Sequence, residues 1–95
     1  IKGAFEQPRP YTIRLYFAEI AECEAGQRLF DVSLQGRRVL ERFDIAKEAG
    51  GTNRPVVREF KGIGVKDDLR VTLTPAGTTQ AEPLLNGIEI IAEDW

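Results

Sequence analysis

Residues 11–20 read YTIRLYFAEI, residues 21–27 AECEAGQ and residues 28–36 RLFDVSLQG; far downstream, residues 84–91 read LLNGIEII. Tyr11, Ile13, Leu15 and Phe17 alternate with Thr12, Arg14, Tyr16 and Ala18. That period of two, in β-branched and aromatic residues, specifies a strand with one apolar face. Phe30, Val32 and Leu34 repeat it against Asp31, Ser33 and Gln35. Gly36 supplies the positive φ of a tight hairpin turn, so the chain is expected to return along Arg38–Phe43. Val39, Leu40 and Phe43 also fit a helical turn, and Asp44 to Ala49 reads as the start of a short helix stopped by Gly50 and Gly51.

Further strands follow at sandwich spacing. Pro55 suits the start of a strand over Val56–Phe60 but not its middle. Gly62, Gly64 and the Lys66-Asp67-Asp68 turn separate it from Leu69–Thr74, where Leu69, Val71 and Leu73 alternate with Arg70, Thr72 and Thr74. Pro75 ends that run, and 76–83 is a small polar loop. Leu84–Ala92 is almost continuously apolar, which predicts a central strand covered on both sides for part of its length. Together with Tyr11–Ile20 and Arg28–Gln35, these segments predict an all-β chain, an antiparallel β-sandwich.

The words FAE (17–19), FDV (30–32), the QG turn (35–36) and NGIEI (86–90) carry a more specific signal. They resemble the malectin-like carbohydrate-binding domains, whose usual wording is close to Y-x-V-x-L-x-FAE, then FDV-x-x-NG, then a final I-E-I strand. The resemblance covers most of the chain and implies a sandwich of jelly-roll, galactose-binding-like type. Such domains usually carry more sequence before the first of these strands. Residues 1–95 are therefore expected to be a single malectin-like domain, a fragment or excised module of a larger protein.

Composition bounds the function. At 95 residues the chain has room for one small domain, which buries about 60–65% of its unfolded surface. It is 42% hydrophobic and 29% charged, an ordinary globular balance. A net charge of −2 gives no reason to expect nucleic acid. The basic cluster Arg37, Arg38 and Arg42 is broken by Glu41 and Asp44 and reads as a solvated strand edge. No run approaches the roughly 18 apolar residues of a membrane-spanning helix, so membrane insertion is not expected. With one Cys (Cys23) and no His, neither an internal disulfide nor a Cys/His metal site is available. Glu22 and Glu24 disfavour a reactive thiolate at Cys23. Without His, Ser-His and Cys-His nucleophile pairs are excluded. Glu19, Asp31, Asp44 and Glu89 show no spacing that selects a carboxylate pair for glycoside hydrolysis, and Asp67-Asp68 lacks the alternating acidic spacing of a calcium loop. No enzyme activity, metal or cofactor is expected.

Sugar recognition needs an aromatic face and polar groups for hydroxyls. In malectin, ligand aromatics lie just after FAE and an acidic residue lies just before the proline that leads into the last strand. Here those places hold Ala21 and Glu22, and Ala81 two residues before Pro83. Malectin's di-glucose contacts therefore do not carry over. The remaining candidates are Glu19, Glu22, Gln80 and Glu82, on two loops expected to lie together, with Tyr16 on the outer phase of the first strand. Phe17, Phe30, Phe43 and Phe60 belong to the core by phase, and the terminal Trp95 reads as a stacking or packing residue.

By resemblance, the expected function is a non-catalytic carbohydrate-binding or carbohydrate-associated accessory module of a larger secreted bacterial protein, extracellular or periplasmic. Its partners would be an oligo- or polysaccharide and neighbouring domains of a parent chain. The alternative is a structural or protein-interaction sandwich that has lost the sugar site. Early strands missing from the sandwich would leave an open sheet edge. That edge is expected to be covered by residues 1–10 folding back or by a homodimer.

Overall fold

A computed structural model describes residues 7–19, 25–77 and 81–93. Among these residues, six strands and one helix form two antiparallel three-stranded sheets. Strands β1 (Arg9–Ala18), β4 (Pro55–Val65) and β6 (Gly87–Ala92) make one sheet, in the order β4-β1-β6. Strands β2 (Leu29–Leu34), β3 (Arg37–Asp44) and β5 (Val71–Pro75) make the other, in the order β3-β2-β5. Each sheet is thus centred on one of the two strongly alternating strands.

The core lies between those central strands. Ile13, Leu15, Phe17, Phe30, Val32 and Leu34 are all buried, every one on the expected phase. Phe17, Phe30 and Phe43 form an aromatic cluster with ring centroids 4.7–6.0 Å apart, within the range where tilted and edge-on rings attract. Phe60 is half-buried at the margin.

Val39, Leu40 and Phe43 lie in a strand and not in the helical turn they also fit, and the short helix comes after them. β3 runs through Asp44, and α1 (Ile45–Ala49) follows at once. Asp44 is its N-cap: the carboxylate accepts from the Lys47 N–H, 3.2 Å away, and also from Gly26 N–H at 2.6 Å. Gly50 closes the helix in the left-handed region at φ 81°, a conformation that glycine adopts without a Cβ penalty. The helix bridges β3 and β4, and Arg58 of β4 lays its guanidinium 5.5 Å from the Phe43 ring centre. That side of the sandwich is closed.

Three expectations need correction. β4 does not end at Phe60; it continues to Val65 through a bulge, because the register shifts between Tyr11–Ile63 and Ile13–Phe60 and Gly62 takes φ 69°. An extra residue at a left-handed glycine lets a strand continue past it. Residues 84–86 are not strand; Asn86 instead donates its backbone N–H to Tyr16 O and accepts Ala18 N–H on Oδ1. Most consequentially, β6 is an edge strand rather than a central one. Ile88 and Ile90 share the register face of Leu15 and Ile13, yet are 44% and 52% exposed. The apolar run in β6 therefore includes a core-side face that the described residues leave partly exposed.

The described start of the chain runs along the other edge. Arg9 and Pro10 pair with Val65 and Gly64 of β4, and a Cβ on Gly64 would stand 3.2 Å from Pro8 Cβ. Residues 7–10 thus do not fold back over β6; residues 1–6 lie outside the described residues.

Candidate functional site

Glu19 follows β1 directly, at the end where the chain leaves the sheet. It does not face solvent. Its side chain is fully buried and held in a fork by Arg28, with Nε–Oε1 at 2.7 Å and Nη2–Oε2 at 3.0 Å. Bidentate geometry of this kind is the strong form of the ion pair. Arg28 Nη1 also donates to the Glu82 carbonyl. Glu19 O accepts the Asn53 N–H at 2.7 Å, and Ala81 N–H donates to Gln27 O at 3.1 Å. Glu19 and Glu82 are therefore brought together as expected, but through Arg28 and the Glu82 backbone. The Glu82 side chain is left in an exposed residue. As a ligand residue Glu19 must be withdrawn, because its carboxylate is consumed in tying the β1 exit to the segments around Arg28, Asn53 and Glu82. Glu22, Gln80, Cys23 and Trp95 lie outside the described residues.

Tyr16 does sit on the outer face of its sheet, as its phase predicts. Its hydroxyl donates to Glu89 Oε1 at 2.7 Å, and a Cβ on Gly87 would meet the ring 3.9 Å away. The ring therefore lies over a glycine that has no side chain of its own to offer. Arg14 joins Glu59 of β4 (2.7 Å) to Glu89 of β6 (3.1 Å), so one polar rung crosses all three strands. The Tyr16 hydroxyl and the Arg14 guanidinium hold the Glu89 carboxyl below its ordinary range. The same hydrogen bond to Glu89 raises the Tyr16 hydroxyl.

A second rung crosses the same face. Glu93 Oε2 accepts from Thr12 Oγ1 at 2.8 Å and from Gly62 N–H at 2.6 Å. The latter is the donor at the β4 bulge, and it holds the Glu93 carboxyl low, with Thr12 helping. The other sheet repeats the device. Asp31 Oδ1 accepts Arg42 N–H at 2.9 Å where β3 is bulged and Arg42 takes φ 49°. That backbone N–H, then the Arg38 guanidinium, lowers the Asp31 carboxyl. Asp31, Glu89 and Glu93 thus serve as partners for neighbouring strands. Asp31 and Glu89 are on the polar phase as read; the role of Glu93, like those of Arg28 and Asn86, was not anticipated. Single residues at strand ends carry no periodicity, so the sequence held no signal for those three.

A shallow surface hollow of about 360 Å³ lies at the opposite end, lined by Gln35, Gly36, Lys66, Asp67, Asp68 and Arg70. Gln35 spans its wall. Its Nε2 donates to Gly64 O and Asp68 O, both at 3.1 Å, and its Oε1 accepts Arg70 N–H at 2.6 Å. No apolar platform accompanies it. Among the described residues, no group of three or more His, Cys, Asp or Glu is placed to hold a metal ion. No described helix is long and apolar enough to cross a membrane.

Two facing antiparallel sheets, with loop ends tied by buried polar contacts, define an antiparallel β-sandwich. More particularly, the chain belongs to the malectin domain family, whose model matches residues 3–88. Over 81 residues it is 38% identical to a probable leucine-rich repeat receptor-like serine/threonine-protein kinase of Arabidopsis thaliana, covering 78% of this chain and 8% of that protein. It is 33% identical over 87 residues to a nodulation receptor kinase of Pisum sativum, covering 90% of this chain and 9% of that one. The ANX2 ectodomain of Arabidopsis thaliana has the same fold, with a TM-score of 0.77 at 23% identity, over 93% of this chain and 26% of that one. The chain thus spans less than a tenth of those two kinases and about a quarter of the ANX2 chain.

These relatives overturn the expectation of a secreted bacterial accessory module: they are plant receptor kinases. The chain covers only 8% and 9% of those two kinases, so the kinase activity in their names is not carried over to it.

Proposed function

We propose that this chain is a non-catalytic, extracellular β-sandwich of a receptor-like kinase, one folded unit of a longer ectodomain that recognises polypeptide. The observation that carries this reading is the internal use of the polar groups that sugar recognition would need. Glu19 is sealed beneath Arg28, and Tyr16 is bound to Glu89 over Gly87. Among the described residues, what stays exposed is an apolar sheet margin with backbone donors and acceptors, a surface suited to protein rather than hydroxyl-rich ligands. The kinship with receptor kinases over 78–90% of the chain supports the extracellular placement.

Two measurements test it. In cells making the parent protein, an antibody to this segment should label intact cells and be lost on external protease treatment. Titration of the purified chain with glucans and other glycans, followed by tyrosine fluorescence, should give no saturable response. Labelling only after permeabilisation, or saturation by a glycan at millimolar concentration, overturns the proposal.

A further inference from the structure

The chain holds two asparagines, and they differ in the residue that follows. Asn53 precedes Arg54, whereas Asn86 precedes Gly87. The main-chain nitrogen of the next residue can attack an asparagine side-chain amide and close a five-membered imide. A Cβ on that next residue hinders the approach, and glycine has none. Asn86 stands just ahead of β6 and is exposed among the described residues, so water reaches its amide.

Two contacts with β1 restrain Asn86. Its backbone N–H donates to Tyr16 O at 2.9 Å, and its Oδ1 accepts the Ala18 N–H at 2.8 Å. Together they pin the chain where it enters β6, whose first paired residue, Gly87, stands opposite Tyr16. Ring closure swings the side-chain carbonyl carbon onto the Gly87 nitrogen, so the Ala18 contact has to be given up first. Two hydrogen bonds of ordinary net strength correspond to roughly tenfold protection or more.

We propose that Asn86–Gly87 is a deamidation site, kept latent by the hydrogen bonds of Asn86 to β1 and reacting when this end of β6 detaches. The Gly87 nitrogen bonds to Asn86 Cγ, the Cγ–Nδ2 bond breaks, and the side-chain nitrogen leaves as ammonia with the proton from Gly87 N. Water then opens the imide. Cleavage of the bond to Cγ gives aspartate; cleavage of the bond to the main-chain carbonyl carbon gives isoaspartate, with a methylene added to the backbone. The two products differ in effect. Aspartate keeps an oxygen for the Ala18 N–H. Isoaspartate lengthens the main chain between the donor to Tyr16 O and the first β6 pair, so the two cannot both hold their register. The isoaspartyl form therefore loosens the entry to β6.

The test incubates the whole chain in mildly alkaline buffer, folded and in guanidinium chloride, and follows both asparagines by peptide mass spectrometry. Electron-transfer fragmentation separates isoaspartate from aspartate. In the unfolded chain Asn86 should deamidate, with isoaspartate among its products, at least about tenfold faster than in the folded chain and faster than Asn53. Gly87→Ala should slow the unfolded-chain reaction. It should also keep the fold, because a Cβ there meets Tyr16 only at an ordinary contact distance of 3.8 Å. Asn86→Asp should melt with the wild type, and the isolated isoaspartyl form should melt lower. A folded-state rate within about tenfold of the unfolded one overturns the gating. Asn53 reacting as fast as Asn86 overturns the site. Aspartate as the sole product, or an isoaspartyl form as stable as the wild type, overturns the consequence for β6.

Discussion

The Glu19–Arg28 pair is the interaction on which the loop end of the sandwich most depends, and its removal has a magnitude that can be worked out. The Glu19 side chain has no exposure and that of Arg28 13%. Breaking a buried pair by deleting one partner strands the other charge and costs about 3–5 kcal/mol. An exposed pair such as Arg14–Glu59, with side chains 38% and 35% exposed, contributes only about 0–1 kcal/mol. Against a total of about 5–15 kcal/mol for a small domain, Arg28→Met should remove a large share of the stability, whereas Glu59→Gln should be nearly silent. A double variant separates a stranded charge from lost packing. Replacing a buried pair by apolar residues is often nearly neutral, whereas deleting one partner is not. Glu19→Leu added to Arg28→Met should therefore recover much of the loss. Urea denaturation followed by circular dichroism measures this. A deficit below about 1 kcal/mol, or one that the double variant does not reduce, would refute the argument.

Other expectations follow from single contacts. Phe17→Ala should cost about 3–5 kcal/mol, because its ring touches both Phe30 and Phe43; Phe17→Leu should retain the fold, and thermal unfolding compares them. Asp44→Ala should cost at least the roughly 1 kcal/mol of a lost N-cap, and more because Gly26 N–H loses its acceptor too; denaturant midpoints give the value. Asp31, Glu89 and Glu93 all have lowered carboxyls, so their contribution is present above the ordinary carboxylate range of about 4 and is lost as pH falls through their folded values. Glu93→Gln should flatten that acid-side loss of melting temperature; an unchanged slope excludes the bulge contact as its source.

What could be read from the sequence divides by whether a residue's role repeats. Ile13, Leu15 and Phe17, like Phe30, Val32 and Leu34, declare themselves by alternation, because each occupies the same environment two residues on. The short helix was legible for a different reason: Asp44 and Gly50 carry chemistry specific to helix ends. Glu19 was misread since a carboxylate at a strand end normally meets water, and its burial depends on Arg28, nine positions away across a loop. Nothing in either residue announces the other. β6 was misread through a real ambiguity, for apolar residues on both phases describe equally a strand covered on two sides and an edge whose core face is partly exposed among the described residues.

The bulges at Gly62 and Arg42 show how such a sandwich tolerates irregularity. An extra residue in a strand takes a backbone donor out of the ladder, and at the exposed residues Gly62 and Arg42 a side chain takes up that donor in place of water. In both sheets a carboxylate on another strand supplies the acceptor: Glu93 for Gly62, and Asp31 for Arg42. The two solutions differ in reach. Asp31 stands on β2 beside the bulged β3, whereas Glu93 leaves the end of β6 and crosses β1, engaging Thr12 on the way. Glu93 therefore couples the β6 edge to the far edge of its sheet. Removing its carboxylate should then leave the bulge donor to water: Glu93→Ala should speed hydrogen exchange at the Gly62 amide, although β4 lies on the other side of β1. Comparing that exchange rate in the variant and the wild type tests the coupling. A Gly62 amide that exchanges at the same rate in both would show that the edges are independent.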